Sequence, residues 1–535
     1  MAEEKKPKIP PPMLPLITNA SLSNRLLNTL SLLNKEWFLC DCNNRREVLV
    51  SNVWAIDPNR VIERFPHVNS IMLVNPIKKQ RDDDPLASFG PWNNVLKEHQ
   101  ILERLFLHGF SIKDRHLKKF STDYPNLKEL TLRSCSGFSF TGLEAVAAGC
   151  RNLTHLIARS CTFLDSNSKS EFLASLHKEN MVSIEVSGKN VGNNCTGDPE
   201  NLLKLIKSAT GLEHLGGVVN VEGKNLSTGT CDQVSHQLIK SRKLESLSLA
   251  SAENSSLPVP GFYIDTFLPV AAQIISLNLR GLVVDRKDLV RMITSCMNIR
   301  ILQASSDDLD DFAVEYIGKH CKSLSKVKFV DSEGKSNITD EGLKHIANGY
   351  PSLQSLSICV VEGAVTCKSL VDFAELKRNI ECLKLYAEDA DFIIGMKYDV
   401  LDEGFAELLK LCPKLKKLRA PNVSADPFTL ITGENLESLN VKVAAVGKTP
   451  DLSTLARSFP RLEKLVVENC RFISLPKNVL KKRELKSVWL KSTEGCIEVG
   501  KCWKEWHEVK VQVLETLLKK ASSVYMYKKC APGDK

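Results

Sequence analysis

Long hydrophobic runs are missing from this chain: none approaches 18 apolar residues anywhere in its 535, so no membrane-spanning helix is expected. A strong charge of one sign is also missing. The formal net charge is +9, mild for this length, which permits an acidic partner without calling for nucleic acid. No glycine-rich phosphate loop and no His-Glu-x-x-His pattern occur, so the signatures of nucleotide and zinc-protease chemistry are missing, and no catalytic residue is assigned. Met1-Ala-Glu-Glu-Lys-Lys has no apolar signal core, so secretion is not expected. The 17 cysteines form no framework of paired spacings, and their thiols are expected to be reduced. Cys40-Asp-Cys42 is too tight for a usual zinc pair and has no partner pair at suitable spacing; it is expected to pack against the first repeat. Cys496, Cys502 and His507 lie beside Trp503 and Trp506, which reads as a capping helix. No metal site is expected.

What the chain has is a recurring Leu-x-x-Leu-x-Leu segment. Leu127, Leu130 and Leu132 form one copy, and Leu244, Leu247 and Leu249 another. Leu353, Leu356 and Ile358 follow, then Leu436, Leu439 and Val441. The period is about 25 residues, which is the mark of a leucine-rich-repeat solenoid. The fold class is therefore α/β: parallel inner strands, outer helices, and a curved horseshoe or closed-ring-like form. Each segment reads as a short strand with alternate side chains inward. Helical patterns precede many of them, including Thr141–Ala148, Lys287–Ile293, Asp340–Ile346 and Asp402–Leu409. Thr141, Asp340 and Asp402 are expected to cap these helices. Such an array exposes a long recognition face, so binding is the expected function.

A second regularity lies three residues before the first strand leucine. Phe65, Tyr124, Cys150, Cys296, Cys321, Tyr350, Cys412 and Phe459 occupy that position in eight repeats. One slot between helix end and strand start must be filled each time, and a cysteine there acts as a small buried hydrophobe.

Residues 10–60 depart from the repeat. Three prolines open them, Leu22–Leu33 reads as an amphipathic helix, and Lys35-Glu-Trp37 follows. The expected organisation is a tail over 1–9, a helical F-box-like segment or N-terminal cap over 10–60, repeats over 61–510 and a C-terminal cap over 511–535. Lys35-Glu-Trp37, Arg45–Val50, Val61–Ser70, Leu130–Ser139, Thr141–Ala148 and Val524–Tyr527 together resemble the plant auxin-receptor F-box and leucine-rich-repeat proteins, and more distantly the jasmonate receptor. Pro91-Trp92 resembles a Pro-Trp in that family's second-repeat loop.

The resemblance implies a substrate-recognition subunit of an SCF-type ubiquitin ligase acting in the nucleus. It implies a Skp-type adaptor and cullin ligase as partners, met through Pro10, Leu14, Leu32 and Trp37. It further implies inositol hexakisphosphate on the concave face and a degron of a protein substrate above it. The hormone pocket is altered. Lys78, Lys79 and Asp82 stand where the family has aromatic residues, and Lys384 and Arg419 replace an arginine and a serine that contact the hormone. Replacing aromatic walls by charge removes apolar burial of about 1.5–3 kcal/mol per side chain. His108 and Gly109 occupy a stretch that is basic in the family. Pro12 and Pro15 fall where the family's first F-box helix runs, and proline disrupts a helix interior. A leucine-rich-repeat scaffold that has lost adaptor docking is the alternative.

A basic stripe stands apart from the resemblance. The residue four after the first leucine faces the open side of such a strand. In four successive repeats it is Lys328, Ser357, Lys384 and Arg419, with Lys326 and Lys417 two residues earlier. Adjacent strands lie about 4.8 Å apart, so the outer members are separated by roughly 15 Å, a span suited to one compact polyanion. Lys78, Lys79 and Arg81 are expected to close over it.

Overall fold

The computed structural model describes residues 35–50, 53, 56–75, 88–164, 172–176, 178–189, 199–217, 228–249, 264–282, 285–305, 309–330, 336–361, 364–387, 400–424, 427–443, 454–468, 487–492 and 510–515. The chain divides into two compact units, 1–257 and 258–535. Each is a ladder of short parallel strands, and the parallel pairing follows from a helical connection between successive strands.

The first unit contains β1 (Glu47–Val50), β2 (Ser70–Val74), β3 (Arg104–His108), β4 (Glu129–Arg133), β5 (Ser136–Phe138), β6 (His155–Phe163), β7 (Ser183–Lys189), β8 (His214–Gly216) and β9 (Ser246–Ser248). Its register carries equivalent leucines into line, as in Leu105, Leu130, Leu156, Ile184, Leu215 and Leu247. All six are buried.

The second unit contains β10 (Ser276–Asn278), β11 (Ile301–Ala304), β12 (Lys326–Phe329), β13 (Ser355–Val360), β14 (Cys382–Ala387), β15 (Lys417–Val423), β16 (Ser438–Val443), β17 (Lys464–Glu468), β18 (Ser487–Ser492) and β19 (Lys510–Glu515). They pair in chain order. The strand ladders thus extend past the 61–510 expected for the repeats, with β1 before it and β19 running to Glu515. No helix among the described residues is long and apolar enough to cross a membrane.

The helical patterns become Phe140–Gly149, Arg286–Ser295, Asp340–Gly349 and Asp402–Leu411. Each buries the apolar positions nearest the sheet, as Leu343, Ile346 and Ala347 do in one of them. The expected caps are shifted by one or two residues: Ser139, Thr339 and Leu401 hold the cap positions, and Thr141, Asp340 and Asp402 lie inside the first turn. The reason is a bond between repeats. Asp114 accepts from the Ser139 N–H at 2.8 Å and its hydroxyl at 2.7 Å. Asp311 does the same for the Thr339 N–H at 2.8 Å, and Asp340 for the Thr366 N–H at 3.0 Å. Asp402 accepts from Ser424 N at 3.0 Å. A first-turn aspartate therefore reaches across to the next repeat and satisfies a backbone donor there.

The slot before each strand is filled as expected. The eight residues named for it are all buried. Burial pushes the Cys296 thiol up to about 12 and those of Cys150, Cys321 and Cys412 to about 11. In the repeat of β14 the slot holds Lys377, whose Nζ donates to the Tyr350 carbonyl at 2.7 Å. Its long stem fills the space, and its ammonium replaces a buried hydrophobe by satisfying a carbonyl.

Candidate functional site

Strand pairing in the second unit brings the basic residues together. Lys328 is in register with Ser357, Ser357 with Lys384, Lys384 with Arg419, and Arg419 with Asn440. A second row runs through Lys326, Ser355, Cys382, Lys417 and Ser438. Along β12 the side chains alternate between solvent and core, with Lys326 and Lys328 open and Val327 and Phe329 buried. β15 does the same, with Lys417 and Arg419 open and Leu418 and Ala420 buried. The period of two alone puts all five charges on the face opposite the core.

Arg419 differs from its neighbours. Its guanidinium binds Glu468 through two parallel bonds, Nη1 to Oε1 and Nη2 to Oε2, each 2.8 Å. It also lies over the Tyr386 ring, 4.5 Å from the centroid. Asn440 Nδ2 donates to the same carboxylate at 3.0 Å, and Asn440 Oδ1 is buried without a partner among the described residues. Glu468 sits two strands from Arg419 in β17 and reaches it across the intervening Asn440. Repeat arithmetic overlooks this residue, because it lies two positions beyond Val466, the residue of its own strand in register with Asn440. The only signal in the sequence is one acidic residue at a strand end.

The lysines keep their place in the row. No ion pair joins Lys326, Lys384 or Lys417 to a carboxylate among the described residues. A phosphorylated anion fits these point charges, while the arginine that would grip it bidentately already holds a carboxylate. Lys78, Lys79 and Arg81 lie outside the described residues, as do Pro10, Leu14 and Leu32. Trp37 is described. It lies in the helix Lys35–Asn44 and is buried, 7% exposed.

Two further charge clusters escape sequence reasoning. Asp41, between the two closely spaced cysteines, is buried and binds Arg45 at 2.8 and 2.9 Å; Arg45 also lies over Phe65. No group of His, Cys, Asp and Glu among the described residues could hold a metal ion. In the first unit, fully buried Glu185 accepts from Arg159 Nε at 2.8 Å and lies 2.9 Å from His214 Nε2. Burial pushes its carboxyl up, but the bonds from His214 and Arg159 outweigh that and hold it down to about 2.

Gly109 accounts for one departure from the resembled family. Its φ is +76°, and an added Cβ would meet the Asn75 carbonyl at 2.7 Å. Ser134 and Ser160, which follow the register partners of His108, have φ of 51° and 54°. The chain thus leaves the strand through the same left-handed step in three repeats. At 109 the Asn75 carbonyl leaves no space for the Cβ of a long basic side chain.

No family model matches the chain. GRR1-like protein 1 of Arabidopsis thaliana is 26% identical over 521 residues, covering 91% of this chain and 87% of that protein. A Transport inhibitor response 1-like protein of Oryza sativa subsp. japonica is 25% identical over 501 residues, covering 87% and 82%. Coronatine-insensitive protein 1 of Arabidopsis thaliana is 24% identical over 508 residues, covering 86% and 82%. Among solved structures, the yeast Rad7 and Elc1 complex superposes with a TM-score of 0.43 at 17% identity, covering 71% of this chain and 83% of that one. A leucine-rich-repeat protein of Leptospira interrogans gives 0.28 at 13%, covering 95% and 99%. These sequence matches span about nine-tenths of the chain, so over most of its length the chain is similar, at 24–26% identity, to plant proteins of the transport-inhibitor-response and coronatine-insensitive kind.

Proposed function

We propose that this chain is the substrate-recognition subunit of an SCF-type ubiquitin ligase, auxin-receptor-like in plan but with an altered hormone pocket. It binds the substrate protein and transfers no group itself. A degron of the substrate protein meets the open face of the repeats, and the segment containing Pro10, Leu14 and Leu32 meets a Skp-type adaptor. The nucleus is the proposed place of action. Similarity along about nine-tenths of the chain to GRR1-like protein 1 supports the general role.

A polyanion of the inositol hexakisphosphate class is proposed for the open face of the second unit. Lys328, Lys384, Lys326 and Lys417 would hold it, with Lys78, Lys79 and Arg81 closing from the loop. When bound, it supplies negative charge that relieves repulsion within the lysine rows. The observation that carries this reading is the unbroken register Lys328–Ser357–Lys384–Arg419 across four strands. Any ligand that prefers the folded chain raises its stability by mass action.

A second reading is a binding scaffold without ligase docking. The burial of Trp37 favours it, because a side chain in the interior cannot also contact an adaptor.

Co-purification with a plant Skp-type adaptor separates the two. A stoichiometric complex at micromolar concentration, lost when residues 10–34 are removed, supports the ligase subunit; absence of any complex leaves the scaffold. For the anion, thermal unfolding with and without inositol hexakisphosphate is the measurement. A rise in Tm in the unmodified chain, reduced in Lys328→Ala and Lys384→Ala, is expected, and no rise would sink the site.

A further inference from the structure

Arg419 has the best geometry of the basic row for gripping an acid, and the chain has filled it from within. Its plane is fixed from one side by the Tyr386 ring at 4.5 Å. Its two outer nitrogens are taken by the two oxygens of Glu468, each at 2.8 Å. The side chains of the pair are 19% and 13% exposed, so both remain within reach of solvent and of a ligand lying on the row. In register beside Arg419 is Lys384, and two residues before it on the same strand is Lys417.

We propose that Glu468 is a specificity-determining residue, a built-in competitor that yields Arg419 only to a ligand bearing several negative charges. The inference rests on the anion-binding reading of this face. A ligand with one charged group gains nothing by displacing Glu468, because it replaces one bidentate carboxylate–guanidinium pair with another of the same kind. The displaced carboxylate must then find water, and it leaves behind the bond from Asn440 Nδ2 at 3.0 Å. A ligand with several charged groups also engages Lys384, Lys417 and Lys328, and those contacts supply the surplus that drives the exchange.

Two features make the exchange workable. The stacked ring keeps the guanidinium in position after the carboxylate leaves, so the site is preorganised for the incoming acid. The clasp also satisfies the strands incompletely. Glu468 fixes the orientation of Asn440 by accepting from its Nδ2, and Asn440 Oδ1 is left buried with no donor among the described residues. Displacement of Glu468 frees the Asn440 amide to turn this oxygen toward a hydroxyl or a protonated phosphate oxygen of the ligand.

The test uses the full chain and two inorganic probes, orthophosphate and tripolyphosphate, with affinities read by calorimetry. The unmodified chain is expected to bind tripolyphosphate at least about a hundredfold more tightly than orthophosphate, since only the longer anion bridges Arg419 and the lysines. Glu468→Gln should tighten orthophosphate about tenfold and tripolyphosphate much less, because the neutral amide no longer competes for the guanidinium. Glu375→Gln, an exposed position on the helix Cys367–Leu376, removes the same charge elsewhere. It should leave the ratio of affinities unchanged. Arg419→Met combined with Glu468→Gln should abolish the gain. Should Glu468→Gln fail to fold, Glu468→Asp, one methylene shorter, is expected to give an intermediate ratio.

If the unmodified chain binds tripolyphosphate through Lys384 but the ratio is the same in Glu468→Gln or Glu468→Asp, the competitor role is overturned while the anion site stands. An equal change in Glu375→Gln overturns it too, since bulk charge then explains the effect. If neither the unmodified chain nor any variant binds tripolyphosphate, the anion-binding reading itself falls, and the competitor role with it.

Discussion

Asp41 sits between two cysteines, yet its partner is an arginine one helical turn away and not a metal. Both members of the Asp41–Arg45 pair are buried, so removing one strands the charge of the other. Asp41→Ala is expected to cost about 3–5 kcal/mol, measured as a shift in the denaturant midpoint of the first unit's transition; a change below about 1 kcal/mol would place the pair among surface bridges. The slot cysteines allow a second check. Their thiols are pushed well above the ordinary range by burial, and the thiolate is the reactive form. Iodoacetamide at pH 8 should therefore leave Cys150, Cys296, Cys321 and Cys412 unmodified in the native chain and label all four in denaturant, as peptide mass spectrometry would report.

Glu185 gives a pH dependence whose sign is fixed by the direction of its shift. Its carboxyl is held at about 2, below the ordinary 4.5. A depressed carboxyl stabilises the fold above its unfolded pKa and loses that contribution as pH falls toward the folded value. Stability from this cluster should thus be present above pH 4.5 and be lost between there and pH 2, by roughly 2–3 kcal/mol. Glu185→Gln should flatten the acid limb of a Tm-against-pH curve. If the variant keeps the slope of the unmodified chain, other carboxylates govern it. Arg159 and His214 could not be paired with Glu185 from the sequence, because the three lie on β6, β7 and β8 and meet only through the ladder.

At the scale of the element, the repeat helices were legible and their caps were not. Leu343, Ile346 and Ala347 recur at helical spacing and are buried where that spacing puts them. Thr339 and Asp340 are both good capping residues by type, and the sequence offers no way to choose between them. The choice is made by the neighbouring repeat, since Asp340 bonds Thr366 while Thr339 bonds Asp311. Asp311→Ala leaves the Thr339 N–H and hydroxyl without their partner. It should cost about 1–2 kcal/mol, and a double-mutant cycle with Thr339→Ala should show coupling. Strict additivity would mean that the cross-repeat bond contributes nothing.

At the scale of the molecule, the lysine rows are the feature with consequences for the whole second unit. Lys326, Lys328, Lys384 and Lys417 stand on one face of strands paired β12 to β15. Like charges at this spacing repel, and salt screens them over about 8–10 Å. In the absence of any phosphorylated ligand, Tm should rise with ionic strength, more in sulfate than in chloride, and Lys384→Ala should reduce that rise. A Tm independent of salt would show that the rows are already neutralised within the chain.

The repeat period, the inward leucines, the buried slot and the register of the basic row could all be read from the sequence. Each depends on spacing along one strand or one helix, where periods of 2 and 3.6 apply without knowledge of the partner. What required the tertiary structure was the partner of each charge. Arg419 reads as an open ligand for an anion until β17 carries Glu468 across from the strand beyond Asn440, and Cys40-Asp-Cys42 reads as a packing segment with no partner named for Asp41 until Arg45 closes on it. Ion pairs are set by distance in space, and a parallel ladder joins residues dozens of positions apart that no local pattern links.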